Sequence, residues 1–120
     1  MLGGNMRQAG LLAACGLVAL EQLVNRLADD HVNARKLAQG LQAIDSAWVD
    51  IDSVVTNIVM VHVGNSRHRA REWVDLLADY EVLAAASQHD VLRLVTHRHI
   101  SEPDVDHTVS AFRQIRERLA

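Results

Sequence analysis

The stretch "DVLRLVTHRH", residues 90–99, decides how this chain folds. Val91, Leu92, Leu94 and Val95 give it the aliphatic and β-branched content of a strand. Side chains alternate along a strand, so Arg93 shares a face with Val91 and Val95. A guanidinium stays protonated, and a buried one needs an anionic partner. That anion comes from the protein or from a ligand. Within the chain, Asp90 and Glu102 are the near candidates; an edge strand would instead let the side chain snorkel out to water. A ligand-gripping role fails if the fork is clasped by an acid of its own chain, or if it points into bulk water.

Working outward, "VVTNIVMVHV", residues 54–63, reads as a second strand, apolar on both faces. Gly64, Asn65 and Ser66 turn the chain into a helix over 67–80 with Ala70, Trp73, Val74, Leu77 and Tyr80 on or near one face. A short strand is expected at 82–85 and the quoted one at 91–97. The last helix opens on Ser101 as N-cap, with Asp104 in the capping-box position and Pro103, the only proline, in the first turn. Val105, Val109, Phe112, Ile115 and Leu119 form its apolar face. Upstream, residues 5–45 are helical in pattern. Leu11, Leu12, Cys15, Val18 and Leu23 begin an apolar face that Leu27, Val32, Leu37, Leu41 and Ile44 continue. A break is expected near Asp29 and Asp30. The fold class is therefore α+β: a long N-terminal helical segment, then a short, mainly antiparallel sheet with helices packed on one face.

The 120 residues suit a single domain, 1–120, with residues 1–45 as a helical segment and 46–120 as the α+β layer. A net charge of −3 gives no electrostatic case for nucleic acid or for an anionic membrane. Aromatics at 3% argue against base-stacking platforms. One cysteine excludes an intrachain disulfide and fits a reducing compartment, so a cytoplasmic protein is expected. "LLAAC", ending at Cys15, imitates a lipoprotein cleavage site. The apolar run before it is too short for a signal sequence, and the hydrophobicity continues through "GLVAL". A buried helix is the expectation there. Ala9–Leu20 is also too short to span a bilayer.

Few residues carry chemistry. Seven histidines include no metal-binding motif; His97 and His99 could be neighbours on one strand face, but two ligands do not make a site. Cys15 lies in an apolar stretch that disfavours its thiolate. Ser87, His89 and Asp90 are neighbours in sequence, which does not make a triad. Lys36, the only lysine, follows Asn33 and Arg35 on what reads as a solvated helix face, without the desolvated pocket an imine-forming amine needs. Gly16, inside a helix, suggests close approach of another element, of this chain or of another, or simple tolerance. Arg7 lies in "GGNMRQ", where Gly3 and Gly4 precede a helix that Asn5 could cap. Helix N–H groups and a guanidinium there could bind phosphate, or the arginine is solvated and binds nothing.

Three stretches, "MLGGNMRQAGLLAACGLVALEQLVNRLADDHVNARKLAQGL", "TNIVMVHV" and "LRLVTHRHIS", resemble in order and spacing the C-terminal part of low-specificity L-threonine aldolases. These are pyridoxal-phosphate lyases of the aspartate-aminotransferase fold. "GGNMRQAG" with "RLVTH" is the specific pair; Asn5 stands where a third glycine is usual, and "HRHIS" departs from the family's residues after the threonine. The resemblance implies the small C-terminal domain of that fold, with residues 1–45 packing on the missing large domain or on a partner subunit. It implies that Arg93 binds the α-carboxylate of an amino-acid substrate, and that Arg7 lies by the pyridoxal-phosphate phosphate at a subunit boundary. It implies retro-aldol cleavage of L-threonine or L-allo-threonine to glycine and acetaldehyde in a homo-oligomer. The family's Schiff-base lysine precedes the "GGNMRQ" region, on a large domain absent from these residues, so no catalytic residue is assigned and the isolated chain is predicted inactive. The alternative is a non-catalytic module whose N-terminal helix drives self-association or binds a partner.

Overall fold

A computed structural model describes residues 6–64 and 69–119. Helix α1 (Gly10–Val18) runs into a π-helical turn at Ala19–Leu23. Helix α2 (Leu27–Ile44) follows after a bend of 74°. Then come β1 (Ile58–His62), α3 (Ala70–Ala78), β2 (Ala85–Ala86), β3 (Val91–Val95) and α4 (Glu102–Leu119). The three strands form one antiparallel sheet in the order β1-β3-β2. The α+β architecture expected from sequence is the one observed.

Alternation divides the sheet into two faces. Val59, Val61, Leu92 and Leu94 point into the core and are buried with Leu37 and Leu41 of α2, Trp73 and Leu77 of α3, and Phe112 and Ile115 of α4. Trp48 lies edge-on to both Trp73 and Phe112, with ring centroids 5.3 and 5.8 Å away. Trp73 and Phe112 are stacked at 5.5 Å. Such aromatic pairs add about 0.5–1.5 kcal/mol each beyond area burial. A polar seam fastens α2 to the β3–α4 connection. The Thr96 hydroxyl donates to the Asp30 carbonyl at 2.6 Å, and the Asn33 amide to the Ile100 carbonyl at 2.9 Å. Lys36 pairs with Glu102 and, at 3.5 Å, with Asp106.

Several elements are shorter than their sequence patterns. The second strand begins at Ile58, because Ile51–Ser53 is a 3₁₀ turn and the ladder opens only where the Thr96 N–H reaches the Asn57 carbonyl. The strand expected at 82–85 is displaced to Ala85–Ala86. The cause is the end of α3: the Val82 N–H donates to the Leu77 carbonyl and the Glu81 N–H to that of Ala78, with Glu81 at φ 59°. This is a Schellman motif, and it engages the N–H that a strand would have needed. Of the helix expected over 67–80, Ala70–Ala78 is helical, and 67 and 68 lie outside the described residues.

Two expectations about the N-terminal segment are corrected. The break falls at Val24–Arg26, not at Asp29–Asp30, which sit in the first turn of α2. Aspartates there complement the helix dipole, so they start a helix instead of interrupting one. The apolar face is also not continuous with the core. No residue of α1 is buried, Leu11 is 75% exposed, and Cys15 is exposed as well. Side chains built at Gly10 and Gly16 would meet nothing within 4 Å. Among the described residues, therefore, nothing approaches Gly16 closely.

Candidate functional site

Among the described residues, the second face of the sheet carries no helix. Ladder partners share a face, so Ile58 stands beside Val95, Met60 beside Arg93 and His62 beside Val91 on this side. From the other flank, Ala85 is the partner of Arg93. β3 is the central strand, so the edge-strand reading of Arg93 is excluded. Val91 is buried at one end of the row; Val95 is partly exposed at the other.

The own-chain anions considered for Arg93 are placed elsewhere. Glu102 is held by Lys36, which keeps its carboxyl below the usual range through their hydrogen bond. The Asp90 carboxylate packs over Gly64, where an added Cβ would come within 2.6 Å of Oδ2. Among the described residues no hydrogen bond or ion pair engages the Arg93 side chain. Arg93 is exposed in this chain. The fork is thus unclasped but open to water, which within the described residues meets the stated condition for failure; a ligand-gripping role then depends on a cover from outside them. Chemically, the row offers a planar two-donor cation flanked by the thioether of Met60 and the methyl of Ala85. That geometry suits a carboxylate in two-point contact.

Arg7 is exposed in the turn before α1. Gln8, at φ 58°, follows it, and the helix begins at Gly10 with Ala9 in the cap position and no side-chain cap. Gly3, Gly4 and the suggested cap Asn5 lie outside the described residues. Nothing in the described chain brings Arg7 onto the sheet face that carries Arg93.

Lys36 sits in the helical layer, on the other side of the sheet from Arg93. Its hydrogen bond to Glu102, with help from Asp106, raises its pKa above the ordinary lysine value. An imine-forming amine must be available unprotonated, so Lys36 does not fit the pyridoxal-phosphate linkage. Among the described residues, Arg93 is the candidate contact for a carboxylate. The rings of His97 and His99 stand 5.8 Å apart, and His97 Nδ1 accepts the His99 N–H at 3.3 Å. Among the described residues no group of three metal-ligating side chains converges. No side-chain hydrogen bond joins Ser87, His89 and Asp90.

Sequence reasoning passed over Asp30, which is 3% exposed and takes both Arg26 nitrogens, at 2.6 and 3.1 Å. It also passed over Thr96 as a buried hydroxyl. The sequence offered only an Arg–Asp spacing of i,i+4, which does not mark burial.

Comparison with known proteins decides the affiliation. Residues 1–66 match the family described as beta-eliminating lyase. This chain belongs to the beta-eliminating lyase family. Over 115 residues it is 41% identical to a probable low-specificity L-threonine aldolase 2 of Arabidopsis thaliana, a match covering 95% of this chain and 32% of that protein. Over 117 residues it is 37% identical to the low specificity L-threonine aldolase of Escherichia coli (strain K12), covering 94% and 32%. The chain thus spans about a third of the length of the curated relatives it matches. Among the described residues no single helix is long and apolar enough to cross a membrane.

Proposed function

We propose that this chain is the C-terminal domain of a threonine-aldolase-like lyase, in which Arg93 takes the α-carboxylate of L-threonine or L-allo-threonine. The supporting observation is the position of Arg93: mid-row on the helix-free face of the sheet, on its central strand, with no carboxylate of its own among the described residues. In a longer protein this face would be covered by the domain that carries the lysine and the pyridoxal ring. Pyridoxal phosphate, when bound there, supplies the electron sink for Cα–Cβ cleavage. Arg93 would orient the substrate beneath it, and Arg7 would contact the cofactor phosphate. The proposed compartment is the cytoplasm, in keeping with a single cysteine.

The test is a chimera in which these residues replace the matching third of the E. coli relative. Arg93→Ala in that chimera is expected to raise KM for L-threonine about a hundredfold, since truncating one partner of a desolvated charge pair costs about 2–5 kcal/mol. An unchanged KM would remove the role from Arg93. The 120-residue chain alone, mixed with pyridoxal phosphate and L-threonine, is expected to form neither acetaldehyde nor a Schiff-base absorbance, because its only lysine is Lys36. A second reading, a self-associating module, is favoured by the wholly exposed apolar surface of α1. Sedimentation separates the two: a clean monomer argues against an interface role.

A further inference from the structure

We infer that residues 81–84 form a strap with two positions: the open one seen here, and a closed one in which Leu83 pairs with Val95 and extends β2 along β3. The ladder defines that next step. The Thr96 N–H donates to the Asn57 carbonyl and the Val63 N–H to that of Asp90, at the two ends of the β1–β3 pairing. Hydrogen-bonded and non-bonded pairs alternate between antiparallel strands. Val95, opposite Ile58, therefore turns its N–H and C=O away from β1 and toward the β2 side. On that side Ala85 stands opposite Arg93, so Leu83 is the residue due opposite Val95. Among the described residues no hydrogen bond engages the Val95 backbone there.

The segment is already arranged for the move. Val82 is buried and Ala84 packs against the core, while Leu83 between them is 91% exposed. That is the alternation of a strand. A sideways shift onto β3 thus keeps Val82 and Ala84 facing the core. Leu83 and Val95 line a common cleft of about 300 Å³, together with Val82 and Leu94. Both ends of the strap are fixed: His107 Nε2 donates to the Tyr80 carbonyl at 2.8 Å, and Ala85 belongs to the ladder. The end of α3 holds it open, with Glu81 at φ 59° and the Val82 N–H on the Leu77 carbonyl at 3.0 Å. A left-handed backbone is unfavourable for glutamate. Closing returns Glu81 to extended backbone, gives the Val95 N–H and C=O a partner, and covers Leu83. Leu83 then lies beside Val95 on the face that carries Arg93. Its relevance to a carboxylate site rests on the function proposed above; the two positions of the strap do not.

The experiment traps the closed position in the full 120-residue chain, without substrate. Leu83→Cys and Val95→Cys are introduced together with Cys15→Ser, which removes the only native cysteine, and oxidised glutathione is added. Hydrogen-bonded partners in an antiparallel pair stand about 5.5 Å apart at Cα, within reach of a disulfide. A disulfide within one chain, at monomer mass on a non-reducing gel, is expected. Residue 81 sets its rate. Glycine accepts the left-handed conformation and valine rejects it. The cross-link is therefore expected to form about tenfold faster with Glu81→Val than with Glu81→Gly. Looser backbone alone would give the opposite order. Equal rates, a faster glycine variant, or no intrachain disulfide in either overturns the strap. Amide exchange at Val95, in chains without the added cysteines, is a second readout: protection is expected to be greater in Glu81→Val than in Glu81→Gly, and equal exchange overturns the inference. The near-UV circular dichroism of Trp48 and Trp73 checks that each variant is folded. Because no substrate is present, these outcomes are independent of whether Arg93 binds a carboxylate.

Discussion

At Glu81 the backbone adopts φ 59°, a conformation that disfavours any residue with a Cβ. The position is the C′ residue of a Schellman motif, where glycine is usual. Glu81→Gly should therefore stabilise the domain by about 1 kcal/mol, less what the freer unfolded chain takes back. Urea unfolding checks the sign; a destabilised variant would show that the Glu81 side chain makes a contribution its geometry hides. Asp104 gives a pH prediction. Its Oδ2 accepts the Ser101 N–H at 2.7 Å and the Ser101 hydroxyl at 2.6 Å, and these bonds lower its pKa below the ordinary aspartate value. A depressed folded pKa means that the contribution is present above the unfolded value and is lost as pH falls through the folded one. Amide exchange in the first turn of α4 should accelerate in that acid window relative to an Asp104→Asn control, which should show no such step there. This capping box was legible from Ser101, Pro103 and Asp104. One detail was not, because the hydroxyl donates to the carboxylate. Arg93 was legible as an anomaly within a strand, whereas Asp30 was not. A charge in the first turn of a helix is ordinary, and only the packed structure shows that this one is buried.

Between elements, the close approach of α2 and α4 turns on Gly40. A Cβ built there would lie 2.6 Å and 3.1 Å from the two methyls of Val109. Because both methyls are near, rotating Val109 exchanges one clash for the other. Overpacking of this kind costs about 1–3 kcal/mol, against a gain of about 1 kcal/mol from replacing a helical glycine with alanine. Gly40→Ala is thus expected to lower stability, and adding Val109→Ala should recover part of the loss in a double-mutant cycle. Strict additivity would show that the two positions do not meet. The elements themselves were legible where periodicity was strong, as in β3 and α4. Their ends were not, since the end of α3 and the start of β2 compete for the Val82 N–H, and a hydrophobic pattern carries no record of which carbonyl wins.

Across the whole molecule, the amphipathic reading of residues 5–45 held for Leu37 and Leu41 of α2 and failed for α1, for a reason that also yields a prediction. Apolar residues in register imply a covering surface, but not that the surface belongs to the same chain. Here α1 buries no residue, and Leu12, Leu17 and Leu20 stand exposed with Leu11. Burying a leucine is worth about 1.5–3 kcal/mol, so four from each of two copies offset an association cost of about 4–15 kcal/mol. The 120-residue chain is therefore expected to self-associate through α1. In sedimentation velocity its coefficient should rise with protein concentration and persist in high salt, since apolar contacts are not screened as charge pairs are. Leu12→Lys with Leu20→Lys should return it to a monomer and leave the near-UV signal of Trp48 and Trp73 unchanged. Those rings belong to a core that α1 does not touch. A parent chain that sediments as a monomer at every concentration would leave the rest of a longer lyase as the expected cover for this helix, and would remove the self-associating reading.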